Sequence, residues 1–134
     1  MKTVFNLSLM CYFILFLGCR GDNNIIAQDR LAFKKINHEY ERFYKALGPK
    51  EKTKHLDIIL KLTESQKSKH LDFEYEKSLA LARKWIILDE IGARESLPQI
   101  EKDAAESLAK VVVLKQDYDF QKLLKLVKML DSSD

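Results

Sequence analysis

Leu71-Asp72-Phe73-Glu74-Tyr75-Glu76-Lys77-Ser78-Leu79-Ala80-Leu81-Ala82-Arg83-Lys84-Trp85-Ile86-Ile87-Leu88 is the stretch that decides the fold. Leu71, Tyr75, Leu79, Ala82 and Ile86 recur at three- and four-residue intervals, the spacing that lines side chains along one face of an α-helix. Leu81, Trp85 and Leu88 widen that stripe, and a broad stripe implies more than one packed neighbour. Extended from Ser65 to Ile91, the pattern covers roughly 27 residues, about 40 Å at 1.5 Å per residue, which predicts the central helix of a bundle. Trp85, Tyr75 and Phe73 read as core aromatics rather than as an exposed partner patch.

Boundary signals flank this run. Upstream, Thr63-Glu64-Ser65-Gln66 has the Ser/Thr-x-x-Glu/Gln form of a capping box, in which two side chains satisfy amides that a helix start leaves unpaired. Downstream, Gly92 is a stop, and Ser96-Leu97-Pro98-Gln99 repeats the capping form with Pro98 in the first turn, where a missing N–H costs nothing. Ile100, Ala104, Leu108, Val111 and Val112 then continue at helical spacing. Val111 to Leu114 is rich in β-branched residues. A lone strand would have no partner, so the segment is read as helix.

The same periodicity accounts for both ends of the domain. Ile36, Tyr40, Phe43, Tyr44 and Leu47, with Leu31 and Phe33 upstream, form one apolar face that ends at Gly48-Pro49. Lys50 to Leu62 follows as a short helix with Leu56, Ile59 and Leu60 on one side. Asp117 or Asp119 can cap a last helix whose apolar face is Phe120, Leu123, Leu124, Val127 and Leu130, and Ser132-Ser133-Asp134 should fray. The expected architecture is all-α, an antiparallel bundle of four to five helices. Two prolines and four glycines in 134 residues agree with it, since most sit at these boundaries.

Ahead of the bundle lies a segment of another kind. Lys2 precedes an apolar run that is densest from Leu9 to Leu17, ends at Gly18-Cys19, and turns polar at Arg20-Gly21-Asp22. The run is too short for the ~20 apolar residues that span a bilayer, and Asn6 and Ser8 interrupt it. It reads as an export signal. Phe16-Leu17-Gly18-Cys19 resembles the lipobox of bacterial lipoproteins, with Phe16 and Leu17 at positions where Leu or Val and Ala, Ser or Thr are preferred. That resemblance implies lipidation of Cys19, palmitate among its acyl chains, and cleavage before it. Ordinary cleavage after Gly21 remains the alternative, because Cys19-Arg20-Gly21 has the small-x-small form. The expected division is 1–18 signal peptide, 19–28 polar tether and 29–134 helical domain.

This division removes cysteine from fold chemistry. Cys11 leaves with the signal and Cys19 is the anchor, so no disulfide, catalytic thiol or thiolate metal site is expected. The formal charge is +3, one less once Lys2 is removed, and so near a balance favours neither nucleic acid nor an acidic membrane surface. His38, His55 and His70 lack the spacing of a zinc site. No nucleophile elbow or phosphate loop occurs. His55-Leu56-Asp57 and His70-Leu71-Asp72 each place His and Asp two apart, which points them away from one another on a helix. Arg20-Gly21-Asp22 has the letters of an integrin tripeptide, but beside a lipidated cysteine it would lie against the bilayer. Neither an enzyme nor a metal or cofactor is expected.

One internal echo stands out. Leu47 to Asp57 aligns with Leu62 to Asp72 as Leu-x-x-x-x-Lys-(Thr/Ser)-Lys-His-Leu-Asp. The simple reading is two similar helix openings. If they lie side by side, Lys50, Lys52, Lys54, His55, Lys61, Lys67, Lys69 and His70 form a basic patch for a sulfated glycan or an acidic host protein. The stretch Leu62-Thr63-Glu64-Ser65-Gln66-Lys67-Ser68-Lys69-His70-Leu71-Asp72-Phe73, together with the signal, is similar to the multicopy surface lipoproteins of Borrelia. That resemblance implies an outer-membrane or surface location and a non-enzymatic role at the host interface. Two functions are therefore expected. One is a surface lipoprotein binding a host or envelope macromolecule through a helix face. The other is a periplasm-facing lipoprotein acting as adaptor, structural element or immunity factor.

Overall fold

The computed structural model describes residues 23–66, 71–111 and 119–132. They form α1 (Asn23–Lys45), α2 (Pro49–Glu64), α3 (Leu71–Glu90), α4 (Leu97–Val111) and α5 (Phe120–Ser132), with no strand among the described residues. The all-α bundle expected from periodicity is the architecture of the chain.

Short connections return each of the first four helices against the one before it, as in up-and-down bundles. Glu39 and Phe43 of α1 meet His55 and Lys52 of α2 in reverse order. Asp57 and Glu64 of α2 likewise meet Lys84 and Lys77 of α3. Glu74 and Trp85 of α3 meet Lys110 and Glu101 of α4. The last helix breaks the pattern. Phe120 stacks edge-on against Trp85 while Asp131 reaches Arg83. Positions 83 and 85 lie about 3 Å apart along α3, whereas 120 and 131 lie about 16 Å apart along α5, so α5 runs across α3 rather than along it.

α3 is the hub, and it separates two cores. On one side Phe33, Ile36, Tyr40 and Phe43 of α1 pack with Leu56 and Ile59 of α2 against Phe73, Ala80 and Ile87. Phe33 and Phe73 stack with ring centroids 4.4 Å apart. On the other side Leu79, Leu81 and Ala82 meet Ile100, Ala104 and Leu108 of α4 and Leu123, Leu124 and Val127 of α5. Each fully buried aliphatic side chain here contributes roughly 1.5–3 kcal/mol of transfer free energy.

Several boundaries differ from the sequence reading. α1 begins at Asn23, so residues 23–28, read as tether, are helical. Pro49 is the first residue of α2, where its fixed φ suits a helix start. Thr63 and Gln66 do not open a helix. Thr63 Oγ1 donates to the Leu60 carbonyl and Gln66 Nε2 to that of Leu62, so the apparent capping box closes α2 instead. The described part of α3 runs over 20 residues, and residues 67–70 of the expected span lie outside the described residues. Gln99 turns to Asp103 rather than back to Ser96. Asp119 does cap α5, accepting from the Lys122 amide at 3.0 Å. Leu47 is fully exposed because it lies past the end of α1, and Leu31 and Leu71 are half exposed on outward faces. Asp117 and Val112 to Leu114 fall outside the described residues, as do Ser133 and Asp134.

The turn after α3 is set by Gly92, whose φ of +79° is the left-handed region that glycine enters without strain. The Gly92 amide donates to the Asp89 carbonyl and that of Ala93 to Leu88, the paired bonds of a Schellman closure. This closure leaves Ile91 half exposed at the end of α3, beside the start of α2.

Candidate functional site

The described basic residues singled out in the sequence do not all face the same way. Lys50, Lys54 and Lys61 share an open hollow of about 680 Å³ between α2 and the end of α3. Lys52 turns the other way, with its Nζ 5.0 Å from the centroid of the Phe43 ring. His55 turns inward, its Nδ1 2.9 Å from Glu39 Oε2. Lys67, Lys69 and His70 lie outside the described residues, as does Cys19. The two copies of the echo are not side by side. The first opens α2 at Pro49; of the second, the described residues Leu62–Gln66 close α2 and Leu71 and Asp72 open the described part of α3. Because α3 runs antiparallel to α2, its start meets the end of α2, about 24 Å from Pro49 for a helix of 16 residues.

Helical spacing explains which lysines meet. Positions 50, 54 and 61 fall on one edge of α2, and Asp57 stands in the same row. Asp57 is engaged by Lys84 Nζ at 2.8 Å, so it does not neutralise its neighbours. Lys50, Lys54 and Lys61 make no ion pair among the described residues. The floor of the hollow is apolar, with Ile58 from α2, Leu88 from α3 and Ile91 just past its end. Thr53 adds no free donor there, since its hydroxyl donates to the Pro49 carbonyl. The arrangement is a row of cations along a greasy trough.

A second hollow of about 490 Å³ lies on the other side of Ile58, along the seam of α1 and α2, with Lys34, Lys35, His38 and Arg42 at its edge. Its chemistry is partly used up. Glu39, 9 % exposed in its side chain, accepts from Arg42 Nη1 at 2.8 Å and also binds His55. His38 pairs with Glu41 at 3.8 Å. His55 and Asp57 do point to different helices, Asp57 meeting Lys84, as their two-residue spacing requires.

The most unusual polar residues were not among the sequence candidates. Arg83 is buried, and its Nε and Nη2 grip Asp131 at 3.2 and 3.0 Å. Tyr44 donates to the same carboxylate at 2.9 Å, and the guanidinium lies 4.9 Å from the centroid of the Tyr40 ring. Burial works against the Arg83 charge, but Tyr40, Tyr44 and Asp131 outweigh it and hold Arg83 protonated well beyond the usual range. Burial also drives the Tyr40 hydroxyl well above an ordinary tyrosine. Seven residues before Arg83, Glu76 is wholly buried, and neither carboxylate oxygen has a hydrogen-bond partner among the described residues. Burial raises its pKa to about 8, opposed by the Arg83 charge and assisted by Asp72. The signal that could have found this cluster is the face Phe73-Glu76-Ala80-Arg83-Ile87, helically spaced but interrupted by two charged residues.

Among the described residues, no group of His, Cys, Asp and Glu side chains could hold a metal ion. No helix among them is long and apolar enough to cross a membrane. Comparison with family models, with curated proteins and with solved structures finds no match to the chain.

Proposed function

We propose that this chain is an exported lipoprotein, anchored through Cys19, that binds an acidic macromolecule of the host or the envelope through the outer face of α2 and does no chemistry on it. The observation that carries this reading is the convergence of Lys50, Lys54 and Lys61, free of ion pairs among the described residues, on one open hollow. Three lysines on one helix edge raise the local potential far more than the near-balanced total charge suggests.

The start of α1 adds to this reading. With Cys19 lipidated, only residues 20–22 separate the anchor from Asn23. The four Cα-to-Cα steps from Cys19 to Asn23 reach at most about 14 Å, so the first turn of α1 would stand near the bilayer, with the last turn of α2 beside the first half of α1. Pro49, Lys50 and Lys54 lie at the other end of α2, about 24 Å along its axis for 16 residues. In that arrangement Lys61, in the last turn of α2, lies nearer the anchor than Lys50 and Lys54, and the open hollow they share remains accessible from the side of the bundle.

Intact mass of the purified protein tests the anchor: a chain starting at Cys19 with added acyl mass is expected, and one starting at Asp22 without it refutes lipidation. Heparin-affinity chromatography tests the face. Lys50→Glu, Lys54→Glu and Lys61→Glu together should abolish salt-sensitive retention; retention unchanged in the triple variant sinks the reading. Protease shaving of intact cells distinguishes a surface protein, which is digested, from a periplasm-facing adaptor or immunity factor, which is protected.

A further inference from the structure

We infer that the hollow between α2 and the end of α3 is a docking groove for one acidic, amphipathic helix of a partner protein. The inference rests on the proposed reading of the lysine face as a binding surface and specifies what that surface takes. Lys50, Lys54 and Lys61 stand at i, i+4 and i+11 on α2, spaced about 6 Å and 10 Å along its axis. Eleven residues make three helical turns almost to the residue, so carboxylates at the same spacing on a partner helix would also fall on one edge. Beside this row, Ile58, Leu88 and the half-exposed Ile91 offer an apolar floor.

Charge and floor together select the occupant. A sulfated glycan would satisfy the lysines but leave Ile58, Leu88 and Ile91 against a polar chain. A fatty acyl anion would cover the floor but bring a single carboxylate to cations spread over about 16 Å. A helix with leucines on one face and glutamates along its border meets both requirements, as in other helix-in-groove recognition. Asp57 does not repel such a partner, because Lys84 already engages it at 2.8 Å.

The test uses the processed protein in neutral nonionic detergent and two fluorescein-labelled four-turn peptides of identical composition. One peptide carries leucines on one helical face with glutamates at i, i+4 and i+11; the other has the same residues permuted so that no face is apolar. The patterned peptide should bind at least about tenfold more tightly by fluorescence anisotropy, a difference of about 1.4 kcal/mol. Lys54→Glu with Lys61→Glu, and separately Ile91→Ser, should each weaken it by about tenfold or more, as loss of an interface anchor does. Both variants change surface residues, and unchanged circular dichroism and thermal midpoint confirm that they fold. Equal binding of the two peptides, or full affinity in Ile91→Ser, overturns the inference. If heparin still binds in a lysine-dependent way under that outcome, the polyanion reading stands without the helix; if neither peptide nor heparin binds, both readings fall.

Discussion

Replacing Glu76 with glutamine should remove a pH dependence that the parent protein carries between pH 5 and 8. The ordinary glutamate pKa of 4.5 rises to about 8 at this site, chiefly because burial penalises the carboxylate. The positive charge of Arg83 opposes the rise, and Asp72, one turn earlier, adds to it. With the folded pKa above the unfolded one, the native state keeps a proton that the unfolded chain has released. Stability from this group is therefore fully present below pH 4.5 and is lost as pH climbs towards 8. The slope is about −1.4 kcal/mol per pH unit while the two states differ by one proton. From pH 5 to pH 8 that amounts to roughly 4 kcal/mol, a large share of the 5–15 kcal/mol that holds a typical domain. The assay is urea unfolding followed by circular dichroism at pH 5, 6, 7 and 8, on the parent and on Glu76→Gln. Glutamine keeps the shape and cannot ionise, so its curve should be flatter and should cross the parent's, with the variant the more stable protein at pH 8. His38 and His55 are common to both proteins, and the difference between the curves isolates Glu76. Identical slopes in parent and variant would refute the reasoning.

Substitutions at three further positions examine the elements that hold the fold. Asp131→Ala strips the buried Arg83 guanidinium of its bidentate partner and should destabilise by about 3 kcal/mol, visible as a lower urea midpoint; Asp131→Asn, which keeps an acceptor, should lose less. Gly92→Ala meets no atom within 4 Å but forces a Cβ into a backbone with φ of +79°, so a loss of about 1 kcal/mol is expected from strain alone, and a neutral result would disprove a fixed left-handed turn. Asp119→Ala removes the acceptor for the Lys122 amide and should cost about 1 kcal/mol, with the largest rise in hydrogen exchange in the first turn of α5.

Helix identity was legible because each helix shows its own apolar period, and a period needs no knowledge of the partner. Phe120, Leu123, Leu124 and Val127 are buried as their spacing demands, and so are Ile36, Tyr40 and Phe43. Helix ends were less legible, because the same residue types serve both ends. Thr63 and Gln66 have side chains that can cap a start or satisfy the last carbonyls, and only the residues that follow decide between them. The second face of α3 was hidden for a related reason. Periodicity assigns charged residues to water, so Glu76 and Arg83 broke a stripe that Phe73, Ala80 and Ile87 otherwise complete. Arg83 is buried because Asp131 meets it from a helix that crosses α3, 48 residues along the chain. No local pattern encodes a meeting at that distance.

The lysines show the same limit from the outside. The echo would make one patch only if its two copies lay side by side, and α2 sets Pro49 and Gln66 at opposite ends of one helix. A helix of 16 residues separates the start of the first copy from Gln66. Even within the first copy, adjacent basic residues diverge, because a helix turns about 100° per residue. Lys52 lies over Phe43 and His55 binds Glu39, while Lys50 and Lys54 open on the groove with Lys61, which belongs to neither of the matched Lys-(Thr/Ser)-Lys-His blocks. What brings three cations together is their spacing on one edge of α2. Beside them stands Ile91, half exposed just past the end of α3 at the turn set by Gly92. A basic run in a sequence therefore says how much charge is present, whereas the apolar floor beside it, completed by Leu88 and Ile91 from a later helix and its closing turn, is what the proposed choice of partner rests on.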